Sequence, residues 1–387
     1  MNDSNIEVSI VIPCLNEETT IKEAIREAKS SLLKNKINGE VVVADNGSTD
    51  RSVEIAKKEG ALVVNVKNKG YGYALMGGFM KASGKYIIHL DADMSYDFSH
   101  IPRFVDKLRG GACLVIGSRF KGTIYPNAMP VLHRYIGTPV LTWISNLFYN
   151  TGISDINCGM RGLRRDIVGK LGLNCGGMEF ASEMIIKTAK LGLKIEEIPT
   201  DLRPDKRGKK PHLRTFRDGW RHLRFLLLLS PTWLFFVPGF SLFILGVTIL
   251  TMILFNILPF FGVFTGLLSM AAIIIGVQVV ILGLAAKRFD HIKKFDIKNS
   301  WWDMMIDKID MEKGIIVGII SSIAGIGILF FCFLHIHNFV NSNDYSFGSI
   351  DIFATYASLF GATMLITGFQ IIFSSFLFGI IDVDSKT

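Results

Sequence analysis

The chain has 387 residues, of which 49% are hydrophobic, and it carries a formal net charge of +8 at pH 7. This length allows one soluble domain together with a membrane-embedded region. Much of the positive excess directly precedes the first long apolar segment, which favours anionic headgroups or phosphates as partners and argues against nucleic acid. Five cysteines without a CxxC pair or a Cys/His cluster argue against a disulfide framework and a zinc site.

The N-terminal part alternates short β-branched runs with helical patterns. The apolar runs lack strict alternation, which is typical of parallel strands that are covered on both faces. The order of elements predicts an open, doubly wound, mostly parallel α/β sheet. The N-terminus has no signal-peptide pattern, so we expect the soluble domain to start in the cytoplasm. Strands are predicted over residues 8–12, 40–44, 61–66, 86–90 and 114–117, with helices over 19–33 and 50–58.

Polar residues follow each of the first four predicted strands, at positions 13–18, 45–50, 67–70 and 91–93. Ligands of open α/β sheets bind beyond the carboxyl ends of the strands, so these segments predict one shared site. The chain has neither a GxGxxG pattern after the first strand nor a GxxxxGK[ST] loop. This excludes the usual dinucleotide-binding and P-loop ways of holding phosphate.

Asp91 and Asp93 follow a buried strand with one residue between them. Alternate residues of an extended segment point the same way, so both carboxylates should face one ligand. Such a pair suits Mg²⁺ or Mn²⁺, and the metal could bridge a diphosphate and take up the charge of a leaving nucleotide. The sequence leaves structural alternatives open: an Asp-x-Asp can be a turn or a cap, Glu17 can favour a helix start, and Asp45 can close a turn.

Residues 201–224 form the most basic stretch of the chain. Phe216 and Trp220 recur at helical spacing, and Arg217 and Arg221 fall on an adjacent face. The pattern predicts an amphipathic basic helix over residues 213–231 that lies in the membrane interface. A general juxtamembrane charge run is the alternative.

Four apolar stretches follow, at about residues 233–257, 264–286, 315–336 and 352–380, each long enough to cross a bilayer as a helix. The loop 287–313 carries seven Lys or Arg residues, whereas 258–262 and 337–351 carry none. The positive-inside rule therefore predicts that the soluble domain and both termini are cytoplasmic. We expect domains at 1–212 and 232–387, joined by the interfacial helix, and Gly361 and Gly368 to mark helix packing.

Several motifs occur in a specific order along the chain. They are VSIVIP at 8–13 with NEE at 16–18, DNGSTD at 45–50, KGYG at 69–72, DAD at 91–93 and GSR at 117–119. Over about residues 6–231 the sequence resembles the family 2 glycosyltransferases of GT-A fold, especially the polyprenyl (dolichyl) phosphate sugar synthases. The resemblance implies transfer of one hexose, such as glucose or mannose, from a UDP- or GDP-sugar to a polyprenyl phosphate.

The resemblance also implies roles for individual residues. Asp155, in a segment that resembles the acceptor side, would be a base or an orienting carboxylate, and a loop-capping role is its structural alternative. The implied nucleotide-sugar ligands are Pro13, Leu15, Glu17, Asp45, Lys69, Asp91 and Asp93, and the implied metal ligands are Asp91, Asp93 and Ser95. The implied catalytic residues are Asp93, Asp155 and Arg119. The residues implied to bind the acceptor phosphate are Arg119, Arg134, Arg203, Arg207 and Lys209. Glu179 and Glu183 would lie near the sugar and the acceptor.

The expected cofactor is Mn²⁺ or Mg²⁺. The expected partners are the nucleotide-sugar donor, the lipid phosphate and the membrane. We also expect that homo-oligomers can form through the transmembrane helices. Two rivals remain. A processive polysaccharide synthase would share DAD but would also carry Gln-x-x-Arg-Trp, which the sequence lacks. A non-catalytic lipid-translocating protein would not need intact Asp45, Asp91 and Asp93.

Overall fold

The computed structural model describes residues 6–208, 215–255, 257, 262–292, 310–342 and 352–384. The chain divides into two compact units, Met1–Leu229 and Ser230–Thr387. Lys209, one of the predicted acceptor-phosphate residues, lies outside the described residues, as does most of the basic loop between the second and third apolar segments.

The first unit is built around a seven-stranded sheet with the strand order β3-β2-β1-β4-β6-β5-β7. Its parallel pairs are β1 with β2 and β4, β2 with β3, and β5 with β7, while β6 runs antiparallel to β4 and β5. This confirms the predicted doubly wound, mostly parallel α/β fold. The strands are β1 Val8–Cys14, β2 Gly39–Asp45, β3 Leu62–Asn65, β4 Tyr86–His89, β5 Leu114–Ser118, β6 Arg161–Arg164 and β7 Ile195–Pro199.

Helices cover the sheet because each has an apolar face. In α1, Ile21, Ala24, Ile25 and Ala28 are buried at helical spacing, whereas the charged residues of that helix face outward. The helices of this unit are α1 Ile21–Lys34, α2 Ser52–Lys58, α3 Tyr71–Lys81, α4 Ile101–Arg109, α5 Thr138–Tyr149, α6 Arg165–Leu171, α7 Phe180–Lys190 and α8 Thr215–Leu228.

Strand register decides where the site lies. Cys14 pairs with Asp45 at the ends of β1 and β2, and Val11 pairs with His89 at the end of β4. The segments that follow these three strands therefore leave the sheet at the same edge, as expected for neighbouring parallel strands.

The described residues of the second unit form helices with short connections, as predicted. Four segments among these described residues are long and apolar enough to cross a membrane: Thr232–Ile253, Val263–Phe289, Met311–Asn338 and Phe353–Ile381. The helices are α9 Val237–Leu254, preceded by a π-helical turn, α10 Val263–Ile292, α11 Met311–Ser342 and α12 Ile352–Asp384.

Glycines allow α11 and α12 to pack with their backbones in close contact. A methyl group added to Gly318 would lie 2.7 Å from the carbonyl oxygen of Gly368, and one added to Gly361 would lie 3.1 Å from that of Gly325. This agrees with the packing role predicted for Gly361 and Gly368, because small residues are what permits close approach of membrane helices.

Candidate active site

Asp91 and Asp93 lie on a sharp turn directly after β4. The Tyr71 hydroxyl donates to Asp91 Oδ1 at 3.0 Å, and the Ser95 backbone N–H donates to Asp93 Oδ1 at 3.0 Å. Met94, between Asp93 and Ser95, has a positive φ of 63°, an uncommon conformation for a residue with a side chain. The turn thus holds both carboxylates in place and leaves Asp93 Oδ2 for another partner.

The environment opposes ionisation of Asp91. Burial raises its pKa, and the neighbouring Asp93 charge raises it further, whereas the Tyr71 hydrogen bond and the Arg207 charge act in the opposite direction. Burial and the Asp91 charge also raise the pKa of Tyr71 well above its usual value. Tyr71 is therefore a neutral donor, and positive charge at this site would stabilise the two carboxylates.

Gly159 packs closely against Asp91. A methyl group at this position would lie 2.5 Å from Asp91 Oδ2, and the Gly159 backbone N–H donates to the Tyr96 hydroxyl at 2.7 Å. No group of three or more His, Cys, Asp or Glu residues suited to a metal ion occurs among the described residues. A pair of carboxylates at one turn still fits a Mg²⁺ ion, which is usually bound by one or two carboxylates together with substrate phosphates and water.

Arg207 contacts two carboxylates that follow different strands, Glu17 after β1 and Asp93 after β4. Its guanidinium nitrogens lie 3.3 Å from Glu17 Oε1 and 3.2 Å from Asp93 Oδ2, and a third contact of 3.3 Å joins it to Asp205. Burial raises the pKa of Glu17, although the charge of Arg207 partly offsets this. The structure thus brings predicted donor-side and predicted acceptor-side residues into direct contact.

Asp45 closes the turn that follows β2. Its carboxylate accepts backbone N–H groups from Gly47 at 3.0 Å and Ser48 at 3.1 Å. Lys69 Nζ donates to the Asn46 carbonyl at 2.8 Å and lies where a methyl group on Gly47 would be. Asp45 is buried, and Lys69 donates to the backbone of the turn that Asp45 closes, so both residues lie at the predicted edge of the sheet. Nucleotide contact by either residue remains a prediction.

The loop after β1 is hydrogen-bonded to the turn that follows β2. The Asn16 backbone N–H donates to Ser48 Oγ at 2.9 Å, and Asn16 Oδ1 accepts from the Thr49 backbone at 2.8 Å. Pro13 and Leu15 are half-buried beside it. These two residues therefore border the site edge, and nucleotide contact by either stays a prediction.

Arg119 and Asp155 form a bidentate pair. Arg119 Nε lies 2.6 Å from Asp155 Oδ2 and Nη2 lies 2.8 Å from Oδ1, while the Arg119 backbone N–H also donates to Oδ2. Burial lowers the pKa of Arg119, but the Asp155 charge more than compensates, and the net shift is upward. Asp155 is fully buried and both of its oxygens accept hydrogen bonds from Arg119, while its role toward an acceptor stays a prediction.

The buried carboxylate of Glu183 makes its contacts within the fold. It accepts backbone N–H groups from Asn174 at 2.9 Å and Cys175 at 2.9 Å, and Lys187 Nζ lies 2.7 Å from its Oε1. Glu179 precedes α7, and its Oε2 is buried without a hydrogen-bond partner among the described residues. The contacts of Glu183 favour a structural role, whereas those of Glu179 leave one oxygen available.

The other predicted phosphate-binding arginines lie on two segments. Arg203 is paired with Asp97 at 2.6 Å, and Arg134 stacks on the Tyr135 ring with its guanidinium carbon 5.5 Å from the ring centre. Arg134 lies in a π-helical turn, His133–Gly137, directly before α5. Contact of either residue with an acceptor remains a prediction.

Sequence reasoning missed four contributors to the site: Tyr71, Tyr96, Gly159 and Arg161. Arg161 is fully buried and donates to the Cys158 carbonyl at 2.9 Å, the Ile156 carbonyl at 2.7 Å and the Ala181 carbonyl. It thereby fixes the loop that carries Asp155 and Gly159. Tyr71 and Gly159 lie inside motifs that were recognised, but nothing local indicated that each touches Asp91.

Two family models match the chain. The glycosyl transferase family 2 model matches residues 9–172, and the glycosyltransferase family 2 C-terminal transmembrane region matches residues 284–382. The chain is 36% identical over 380 residues to the low-salt glycan biosynthesis hexosyltransferase Agl6 of Haloferax volcanii, covering 96% of this chain and 88% of that protein. It is 28% identical over 286 residues to glycosyltransferase AglJ of the same organism, covering 72% and 91%.

Among solved structures, glucosyl-3-phosphoglycerate synthase from Mycobacterium tuberculosis in complex with Mn²⁺ and UDP-glucose is similar at 22% identity and a TM-score of 0.46, covering 58% of this chain and 79% of that chain. The two family models and the relative Agl6 together show that this membrane protein belongs to glycosyltransferase family 2.

Proposed function

We propose that this glycosyltransferase moves one hexose from a UDP- or GDP-sugar to a polyprenyl phosphate at the cytoplasmic face of the membrane. The hexose is supported by the relative Agl6, whose name is that of a hexosyltransferase. The cytoplasmic orientation is supported by the Lys and Arg residues concentrated in the loop 287–313.

On the donor side, Asp91 and Asp93 would hold Mn²⁺ or Mg²⁺, which stabilises the negative charge of the departing nucleoside diphosphate. Tyr71 donates to one oxygen of Asp91, and Gly159 packs against the other, where a side chain would displace the carboxylate. Pro13, Leu15, Asp45 and Lys69 border the same edge, where a nucleotide would extend away from the carboxylates.

On the acceptor side, Arg119 is the residue best placed to bind a phosphate. Asp155 holds its guanidinium in a fixed orientation, and the segment from Asp155 to Gly159 leads directly to Asp91. A lipid phosphate is already ionised at neutral pH, so it can attack the anomeric carbon without a general base. Arg119 would position that phosphate, and the product would have inverted configuration.

The observation that carries the lipid acceptor is the orientation of α8. This helix turns Asp218, His222 and Leu226 toward the protein, whereas Phe216 and Trp220 are 85% and 58% exposed. A helix that buries polar residues and exposes large aromatic ones is expected where the outer medium is apolar.

Helix α5 has the same arrangement. Thr138, Thr142 and Ser145 are buried, and Trp143 is 63% exposed. The Tyr149 hydroxyl donates to the Leu226 carbonyl, so α5 and α8 are neighbours. Further exposed apolar residues of this region are Val131, Leu132, Tyr135, Ile136, Val140 and Leu147. Both helices thus expose large apolar side chains, which on α8 stand beside the partly exposed Arg217 and Arg221, and this mixture fits the interface of a lipid bilayer.

The experiment that tests this proposal uses full-length protein in lipid nanodiscs. The protein is supplied with Mn²⁺, polyprenyl phosphate and radiolabelled UDP- or GDP-hexoses in turn, and label in the organic phase is measured. We expect one donor to give a glycolipid that contains a single hexose. Label in a long polysaccharide would instead support a processive synthase, and the absence of product with every donor would overturn the proposal.

A further inference from the structure

Arg207 lies within a group of carboxylates that would otherwise repel one another. Its guanidinium contacts Glu17, Asp93 and Asp205 at 3.2–3.3 Å, and its side chain is only 14% exposed. Asp91 belongs to the same group, since the charges of Asp93, Glu17 and Arg207 all act on it. Arg207 therefore supplies positive charge that offsets the mutual repulsion of these carboxylates.

The fold holds this arginine in place from both sides. Residues 202–207 run alongside the turn that carries Asp93: the Arg203 N–H donates to the Ser95 carbonyl at 2.8 Å, and the Lys206 N–H donates to the Asp93 carbonyl at 3.0 Å. Lys206 Nζ also pairs with Glu23 at 2.7 Å. The backbone position of Arg207 is thus fixed relative to Asp93.

The contact of Arg207 is nevertheless incomplete. Its Nε is buried and has no hydrogen-bond partner among the described residues, and its contacts to Glu17 and Asp93 exceed the length of a strong charge-assisted hydrogen bond. A guanidinium presents five N–H donors in a rigid fork, so this position uses only part of its capacity. A partner with several closely spaced anionic oxygens would satisfy it better.

A divalent cation and Arg207 compete for one oxygen. Asp93 Oδ1 accepts the Ser95 N–H, and Oδ2 faces Arg207, so a metal on Oδ2 would lie beside the guanidinium. Metal–oxygen distances are roughly 2.0–2.1 Å for Mg²⁺, and two cations around one oxygen repel each other at short range. Arg207 in this position therefore weakens metal binding at Asp93.

We propose that Arg207 is an internal cation that occupies Asp93 in the ligand-free enzyme and transfers to the diphosphate of the donor when that donor arrives with its metal. The proposal rests on the metal-assisted function proposed above. It predicts that metal alone binds weakly and that a nucleoside diphosphate strengthens metal binding partly through Arg207, which is a coupling between two ligands.

The test measures Mn²⁺ binding to the full-length protein by the electron paramagnetic resonance signal of free Mn²⁺, with and without UDP or GDP. Arg207→Gln should bind Mn²⁺ alone about tenfold more tightly than wild type, because the competing charge is gone. The same variant should gain less from added nucleotide. Arg207→Met, which keeps the aliphatic stem, is measured in parallel so that the outcome does not depend on one variant folding.

Two controls define the charge effect. Arg207→Lys keeps a cation near Asp93 and should bind Mn²⁺ as weakly as wild type. Lys107→Gln removes a positive charge of the same unit that pairs with Glu196 at 2.7 Å and not with Asp93, and should leave Mn²⁺ affinity unchanged.

If neither Arg207→Gln nor Arg207→Met binds Mn²⁺ more tightly than wild type, the proposal is wrong, even when wild type forms glycolipid. If wild type forms no glycolipid with any donor but the Mn²⁺ affinities change as expected, the proposed function fails and the role of Arg207 toward the cation stands.

Discussion

Arg119 Nε lies 2.6 Å from Asp155 Oδ2 in an ion pair whose acidic partner is completely buried. The pair acts as a unit, because Asp155 fixes the guanidinium and the guanidinium compensates the buried charge. Removing one partner of such a pair leaves the other uncompensated. Its value to the enzyme is the fixed direction in which Arg119 presents positive charge.

Asp155→Asn and Arg119→Gln should therefore reduce glycolipid formation by similar factors, about a hundredfold each, through loss of a bidentate, oriented phosphate contact. The double variant should be little worse than either single variant, because contacting residues are not additive. The measurement is a double-mutant cycle on kcat/KM for the lipid phosphate. Fully additive losses would show that Asp155 acts independently of Arg119, as a base would.

Gly159→Ala should weaken the carboxylate site without unfolding the domain. The added methyl group would lie 2.5 Å from Asp91 Oδ2, so the carboxylate must move. We expect Mn²⁺ affinity to fall about tenfold or more, since ligand geometry controls binding of hard cations. Gly169→Ala is the matched control, because a methyl group there meets nothing within 4 Å. Equal Mn²⁺ affinity in the Gly159 variant and wild type would contradict the position given to Asp91.

Asp93→Asn should reduce glycolipid formation by about a hundredfold or more, because Asp91 alone would hold only weakly the metal that would stabilise the charge of the departing diphosphate. The accompanying loss of Mn²⁺ binding is measured by the same resonance signal. Asp106→Asn, on the outward face of α4, is a suitable control, since its carboxylate forms an exposed pair with Arg109. An active Asp93→Asn variant would remove this residue from the proposed metal site.

His222 should make the protein less stable in acid. Burial lowers its pKa to about 4, with the positive charge of Arg161 contributing, and its Nδ1 is hydrogen-bonded to Ser182 Oγ at 2.7 Å. The unfolded chain gains a proton near its ordinary pKa of about 6.5 while the folded protein does not. Stability is thus retained above that pH and lost as pH falls toward 4, by about 2 kcal/mol between pH 7 and pH 5.

The measurement is thermal unfolding of full-length protein in detergent micelles at both pH values. His222→Asn keeps a polar group for Ser182 but cannot take up a proton, so its unfolding temperature should depend less on pH. His89, whose pKa burial also lowers well below its usual value, is present in both proteins and cancels in the comparison. An identical pH dependence would exclude His222 as the group responsible.

Labels on α5 should report a lipid environment. We expect a nitroxide at Val140→Cys in proteoliposomes to collide with dissolved oxygen more than with a water-soluble nickel complex. A nitroxide at Met80→Cys, also on an exposed position, should show the reverse. The native cysteines are buried except for Cys175, which is half-buried and is replaced by serine beforehand. Equal accessibility at both labels would contradict membrane contact by α5.

Whereas β6 and β7 were not predicted, the sequence alone determined β1 to β5, the four apolar segments and the edge that carries Asp45 and Asp91. Each of these follows from local periodicity, because a run of buried residues defines a strand and a run of about 20 apolar residues defines a span. Parallel neighbouring strands then bring their carboxyl ends together without any knowledge of side-chain contacts.

Only the tertiary structure decided which charges meet. Arg207 and Glu17 are 190 residues apart, and Arg119 and Asp155 are 36 apart, so no local pattern could pair them. The sequence also did not reveal which face of α8 packs against the protein. It shows aromatic residues and arginines on adjacent faces, whereas the face that the fold buries carries Asp218 and His222. Side-chain partners depend on how distant elements pack, whereas periodicity records only the nearest turns of the chain.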